Sequence, residues 1–257
     1  MTESLLLDGT PVRTIDPALL RASAYGHFTS MQVRSGAVDG LDLHFDRLDR
    51  STREVFGQPL PADRVRADLR AALEYADSGD LSLRVNVFTT AELHLLVRVD
   101  PPIEPGTEPQ RLLAFEHERA VPHLKHTGTF DLTYYARQAR QSGYDDAVFH
   151  TASGEISEVS IWNICFARGA TIVFPTAPAL PGIRQQLLQR ALETYETLPI
   201  PLADLPTYDA AYLTNSIDPA LPVASITTDA KTTTYAPHPD SAALMATAYK
   251  SLPAQQI

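Results

Sequence analysis

The 257-residue chain carries 31 acidic against 21 basic side chains, a formal net charge of −10. That balance argues against a nucleic-acid or anionic-membrane surface, since those partners need clustered Lys and Arg. An ordinary apolar share with no run near the roughly 18 residues of a bilayer span indicates a soluble globular chain, one large domain or two small ones.

In chain order, Leu5–Leu7 followed by Asp8-Gly9 predicts a strand and a tight turn back along Pro11–Thr14. The stretch Ser23–Val33 is aromatic and β-rich and reads as the next strand. Leu41, Phe45, Leu48, Val55 and Phe56 fall near helical spacing, with Gly57 as the stop. Pro61 opens a second helix to Asp77, with Val65, Leu69, Ala72 and Leu73 on one face. Strands at Ser82–Phe88 and Leu93–Val99 follow, then a Pro-bearing stretch to Gln110 and a strand at Arg111–His117. A boundary near residues 105–122 divides a smaller α/β domain (1–110) and a linker (111–122) from a larger domain (123–257). The latter is expected to hold a helix at Asp131–Ser142, strands at Ala147–His150, Ile161–Phe166 and Thr171–Phe174, and a helix at Gln185–Tyr195. Strands at Ala210–Thr214 and Val223–Ile226 and a helix at Ser241–Ser251 complete it, and the tail PAQQI is expected to be loose. The single cysteine, Cys165, cannot close an internal disulfide and reads as a small buried hydrophobe. MTESLLLDGTPVRT lacks the basic start of a signal peptide, so a cytoplasmic protein is expected.

The densest chemistry lies in GEISEVSIWNICFARGATIVFPTAPALPGIR, residues 154–184. Glu158 stands at a turn-to-strand junction, Asn163 follows five residues later, and Leu180-Pro181-Gly182-Ile183-Arg184 opens onto a helical pattern. A turn feeding a helix N-terminus aims backbone N–H groups outward, the arrangement that holds phosphates. Upstream, Lys125 precedes a helix that is followed by Gly143 and Asp145-Asp146. Taken alone, a Lys or a Glu is more often a solvated surface residue. Lys231 and Lys250 are the only other lysines, one in a polar segment and one in the last helix.

These pieces resemble the class IV aminotransferases, the fold-type IV enzymes of pyridoxal 5′-phosphate. The likeness spans about residues 24–226. It implies an α/β fold-type IV enzyme of two α/β domains with the cofactor between them, commonly a homodimer, acting on a small amino and keto substrate. It implies further that Lys125 forms the imine with the cofactor aldehyde, that Glu158 faces the pyridine nitrogen, and that Asn163 fixes the turn. Arg47, in a pattern H-x-x-R-L-x-x-S, matches the family's phosphate arginine, while Arg50 suits a surface place. The N–H groups of Ile183 and Arg184 and the hydroxyl of Ser216 would complete the phosphate site.

Three departures stand out. Arg184-Gln185 replaces the family's usual Thr-Arg. Phe130 stands where branched-chain enzymes carry a Tyr. Thr29 follows Phe28 where those enzymes have Glu. Thr29, Lys125-His126 and Asn215-Ser216 lean toward the aminodeoxychorismate lyases, in which Thr29 would help proton transfer. The leading expectation is amino-group transfer between an amino acid or amine and a keto acid. The alternatives are elimination releasing pyruvate and a non-catalytic binding protein on the same fold.

Overall fold

In the computed structural model, which describes residues 4–257, the chain separates into two units. One reaches to Glu104 and takes in Leu124–Gly128 and Pro253–Ile257; the other comprises Pro105–His123 and Thr129–Leu252.

In the first unit, β1 (Ser4–Leu7), β2 (Thr10–Val12), α1 (Pro17–Ala22), β3 (Gly26–Val33), β4 (Ala37–Val38), α2 (Leu41–Phe56), α3 (Ala62–Ala76), β5 (Leu81–Thr89) and β6 (Leu93–Asp100) follow in order. Five strands pair in the order β2-β1-β6-β5-β3. The β1–β2 turn works because Asp8 and Gly9 both take positive φ, 48° and 76°, the twist a two-residue hairpin turn requires. Alternation along β3, β5 and β6 turns Met31, Val33, Leu83, Val85, Val87, Leu95, Val97 and Val99 to one face. There they form a core with Phe45 and Leu48 of α2 and Val65, Leu69 and Ala72 of α3. Burying such a side chain fully is worth about 1.5–3 kcal/mol. The two helices therefore exist chiefly through this sheet.

The second unit holds β7 (Gln110–Glu116), α4 (Phe130–Gln141), β8 (Asp146–His150), β9 (Ile156–Val159), β10 (Asn163–Arg168), β11 (Thr171–Pro175), α5 (Ile183–Ala191), β12 (Glu196–Leu198), a 3-10 helix (Leu202–Thr207), β13 (Ala210–Thr214), β14 (Leu221–Thr227), β15 (Thr232–Thr234) and α6 (Pro239–Lys250). Among the described residues, β10, β13, β14, β7, β8 and β9 pair in succession, and β9 pairs back onto β10 through Glu158 and Asn163. The sheet thus closes into a barrel at the two residues the signature spacing singles out. Leu112, Val148, Ile156, Ile164, Phe166, Leu213 and Ile226 form one core. Cys165, Leu188 and Met245 belong to another, shared with α5 and α6. No helix among the described residues is long and apolar enough to cross a membrane.

Several expectations need correction. The tail is not loose: β16 (Gln255–Gln256) pairs with β4, Gln255 Oε1 accepts from the Asp42 N–H (2.9 Å), and Ile257 packs on the first core. The strand expected from Ile161 begins at Asn163; Ile161 is exposed in the tight connection that the Glu158–Asn163 pairing imposes. The helix expected from Gln185 starts two residues earlier and ends at Ala191, where the chain extends into β12. The expected linker opens with β7, a barrel strand. Leu124–Gly128, expected to start the second domain, groups with the first unit.

Candidate active site

The candidate residues of the first unit gather at its edge strand and on α2. Among the described residues β3 has a sheet partner on one side only, so its outer edge needs other hydrogen-bond partners. The Lys125 segment supplies them. The Phe28 N–H donates to the Lys125 carbonyl (2.8 Å), the Thr127 N–H donates to that of Gly26 (2.9 Å), and His27 bridges His126. Gly26 must be glycine because a Cβ there would stand 2.5 Å from the Val87 carbonyl oxygen of β5. With its backbone pinned in this way, half-buried Lys125 carries Nζ 4.9 Å from the centre of the Phe28 ring. The Arg84 guanidinium lies 3.5 Å from the same ring. Burial, and secondly Arg98, lowers the Arg84 guanidinium to about 10.

On α2, His44 and Arg47 are three residues apart and so share a helix face. Both are buried, whereas Arg50 is exposed, the division the sequence reading expects. Thr29 is fully buried and its hydroxyl is 2.7 Å from His44 Nδ1, on the opposite face of β3 from Phe28. Next to it, Thr52 gives its proton to the Leu48 carbonyl (2.7 Å), so at the 3.0 Å contact His27 Nε2 donates to Thr52 Oγ1. His27 Nδ1 is buried with no hydrogen-bond partner among the described residues, and burial lowers that imidazole to about 4.

In the second unit the signature residues form one hydrogen-bonded device. Glu158 is 5% exposed. Its Oε2 accepts the Leu180 N–H (3.2 Å), and its Oε1 lies 3.4 Å from Arg119 Nη1. Its strand partner Asn163 donates through Nδ2 to the Leu180 carbonyl (2.7 Å). A Cβ on Gly182 would run into Asn163 Oδ1. Gly182 has φ −64°, a conformation any residue adopts, so here glycine answers to space alone. The Leu-Pro-Gly turn is thus laid on Asn163, and α5 starts from it. No acidic side chain stands in the first turn of α5, whose N–H groups are the donors of Ile183 and Arg184. The Arg184 guanidinium lies 5.2 Å from the Tyr249 ring of α6, and the Tyr249 hydroxyl donates to the Arg184 carbonyl (3.2 Å).

Ser216 is half-buried in a turn built by its neighbours. Asn215 Oδ1 accepts the N–H groups of Ile217 (2.7 Å) and Asp218 (2.8 Å). The Asp218 carboxylate takes the Gly106 N–H and Trp162 Nε1–H, each at 2.8 Å. Phe130, five residues past Lys125, is 82% exposed and stacked on Tyr134. Cys165 is buried and its thiol is pushed up to about 12, which keeps it inert.

Three residues around these sites escape the sequence reading. Arg84 leaves a trace, a cation interrupting the apolar alternation of SLRVNVF. Arg119 and Asp218 sit in irregular segments and leave none, because their partners meet them only through the fold.

A family model described as amino-transferase class IV matches residues 26–226. No curated protein sequence matches the chain. Among solved structures, a hypothetical aminotransferase from Mycobacterium tuberculosis in PLP-bound form is 18% identical with a TM-score of 0.81, covering 97% of this chain and 98% of that one. A branched-chain amino acid aminotransferase from Thermobaculum terrenum, in its PLP form, is 15% identical with a TM-score of 0.82, over 96% and 93%. A candidate 4-amino-4-deoxychorismate lyase from Legionella pneumophila is 19% identical with a TM-score of 0.76, over 94% and 96%. The α/β fold is that of these proteins.

Proposed function

The chain belongs to the class IV amino-transferase family, and we propose that it uses pyridoxal 5′-phosphate to move an amino group between an amino acid or amine and a keto acid. The observation that carries this reading is the closed device of Glu158, Asn163, Leu180 and Gly182, a buried carboxylate and a helix start held in one hydrogen-bonded piece. The donor set suits the cofactor. It contains a half-buried amine in Lys125, a buried carboxylate in Glu158, a buried guanidinium in Arg47 and the first-turn N–H groups of α5. When bound, the cofactor supplies an aldehyde for a lysine amine and a ring that takes up electrons from a bond broken at the amino carbon.

The protein residues then have separable tasks. Lys125 Nζ would be the amine that holds the cofactor and the base that moves a proton at the substrate carbon. Glu158, as a carboxylate, would hold a proton on the pyridine nitrogen. Arg47 would neutralise phosphate oxygens with charge-assisted hydrogen bonds, and the N–H groups of Ile183 and Arg184 and the Ser216 hydroxyl would hold the rest. Arg47 and Lys125 come from the first unit, and Glu158, Ile183, Arg184 and Ser216 from the second. A homodimer is the proposed working form.

Elimination releasing pyruvate is the second reading. It rests on Thr29, which the lyase resemblance would use and whose hydroxyl lies buried 2.7 Å from His44 Nδ1. The test is the absorbance of purified protein mixed with the cofactor, followed on adding amino donors with and without a keto acid. A visible band that shifts with donor and is restored by keto acid supports amino transfer. Pyruvate formed without acceptor supports elimination, and no cofactor uptake at all overturns both.

A further inference from the structure

We infer that Arg119 is a positioning residue that keeps Glu158 ionised; this rests on the reading of Glu158 as the partner of the cofactor's pyridine nitrogen. Arg119 and Glu158 are 9% and 5% exposed, and their side chains meet at 3.4 Å. A carboxylate taken out of water holds its charge only against a compensating cation and hydrogen bonds, since burial alone favours the neutral acid. The Leu180 N–H gives Glu158 one hydrogen bond. Arg119 brings a guanidinium charge to it. The consequence for the chemistry is a matter of donors and acceptors. An ionised Glu158 accepts a proton-bearing ring nitrogen, whereas a protonated one would offer an O–H and compete for the same place.

The other titratable groups on the elements around Glu158 have partners of their own. On β8, Asp146 is bound by Arg140 (2.8 Å) and His150 Nδ1 bonds the Thr151 carbonyl (2.9 Å). On β10, Arg168 pairs with Glu196 (2.6 Å) and Cys165 stays a neutral thiol. Glu155, on the same hairpin, meets Pro201 through its backbone, and at the start of α5 Arg184 lies on Tyr249.

The experiment compares wild type, Arg119→Met, Arg119→Lys, Glu158→Gln and the Arg119→Met/Glu158→Gln pair, each loaded with pyridoxal 5′-phosphate. The bound cofactor's absorbance is titrated with acid, and its affinity is measured by adding it back to apoprotein. In Arg119→Met the acid-side midpoint should rise by about one pH unit or more, a tenfold change in proton affinity, while cofactor affinity falls less than about tenfold. Arg119→Lys should recover most of the wild-type titration. In the Glu158→Gln background Arg119→Met should add nothing, because it acts through the missing carboxylate. That pair also guards against misfolding, since removing both members of a buried ion pair costs far less than removing one. A titration of Arg119→Met, or of Arg119→Lys should Arg119→Met not fold, that superimposes on wild type while Glu158→Gln is altered overturns the inference. So does an equal shift from Arg119→Met in both backgrounds. A wild type that takes up no cofactor overturns the functional reading itself, and this inference with it.

Discussion

Asp68 of α3 provides the sharpest test of the electrostatics inside the first unit. It is 8% exposed, and its Oδ2 is buried with no hydrogen-bond partner among the described residues. Gly9 approaches so closely that a Cβ there would lie 3.3 Å from Asp68 Oδ1. Burial first, and then the charge of Asp8, raises the Asp68 carboxyl from 3.8 to about 6. Folded protein therefore binds this proton more tightly than unfolded chain, so the cost to stability is absent below about pH 4, builds as pH rises to about 6 and is fully present above that. At about 1.4 kcal/mol per pH unit, the penalty at neutral pH is roughly 2–3 kcal/mol. His27 acts with the opposite sign. Its folded value is lowered from 6.5 to about 4, so its contribution is present above 6.5 and is lost, by about 3 kcal/mol, as pH falls to 4. In wild type the two slopes oppose each other between about pH 4 and 6. Asp68→Asn removes one slope and keeps the shape. Its urea midpoint should exceed that of wild type at pH 7 by the equivalent of about 2 kcal/mol, and the gain should vanish by about pH 4. Equal midpoints at pH 7 would refute the claim that this carboxyl is desolvated at a net cost, with Arg64 offsetting only part of it.

The remaining predictions concern the candidate site. Lys125→Ala should abolish covalent capture of the cofactor and nearly all turnover; borohydride reduction and peptide mapping should find the label on Lys125, and a label on Lys231 or Lys250 would move the site. Gly182→Ala should lower cofactor affinity and stability together, by about 1–3 kcal/mol of overpacking, because the new methyl meets Asn163 Oδ1; a variant with a wild-type melting temperature and wild-type affinity would show that the turn yields freely. Arg47→Ala should weaken cofactor binding about tenfold to a hundredfold, the loss of charge-assisted hydrogen bonds worth about 1.5–3 kcal/mol. Arg184→Ala should cost less, because its guanidinium lies on Tyr249 and its backbone N–H survives the change; titration of both apoproteins checks the order, and a larger loss at Arg184 reverses it.

What the sequence reveals of this protein follows from the range of each interaction. α2 and α3 are legible because each presents one apolar stripe to one sheet, and β5 and β6 because alternation records a sheet with a single core face. The strands that escape notice are short. β4, β12, β15 and β16 have two or three residues each, too few to show a period, and β4 and β16 exist through pairing with each other across most of the chain. The same distinction runs through the candidate site. Glu158, Asn163 and Gly182 are readable together because they contact one another within 24 residues of chain, so their spacing is itself a constraint. Arg119 is not readable, because it reaches Glu158 across 39 residues from a segment with no regular structure. Lys125 lies between these cases. Its approach to a helix is visible in the sequence, yet it is fixed by edge pairing to β3, nearly a hundred residues upstream, so its backbone belongs with a strand the local pattern does not mention. Glycines make the point most sharply. Gly57 is foreseeable as a helix stop and takes φ 70° accordingly. Gly26 and Gly182 take no such conformation; each is glycine because another element comes too close for a methyl group, and only the fold says which element that is.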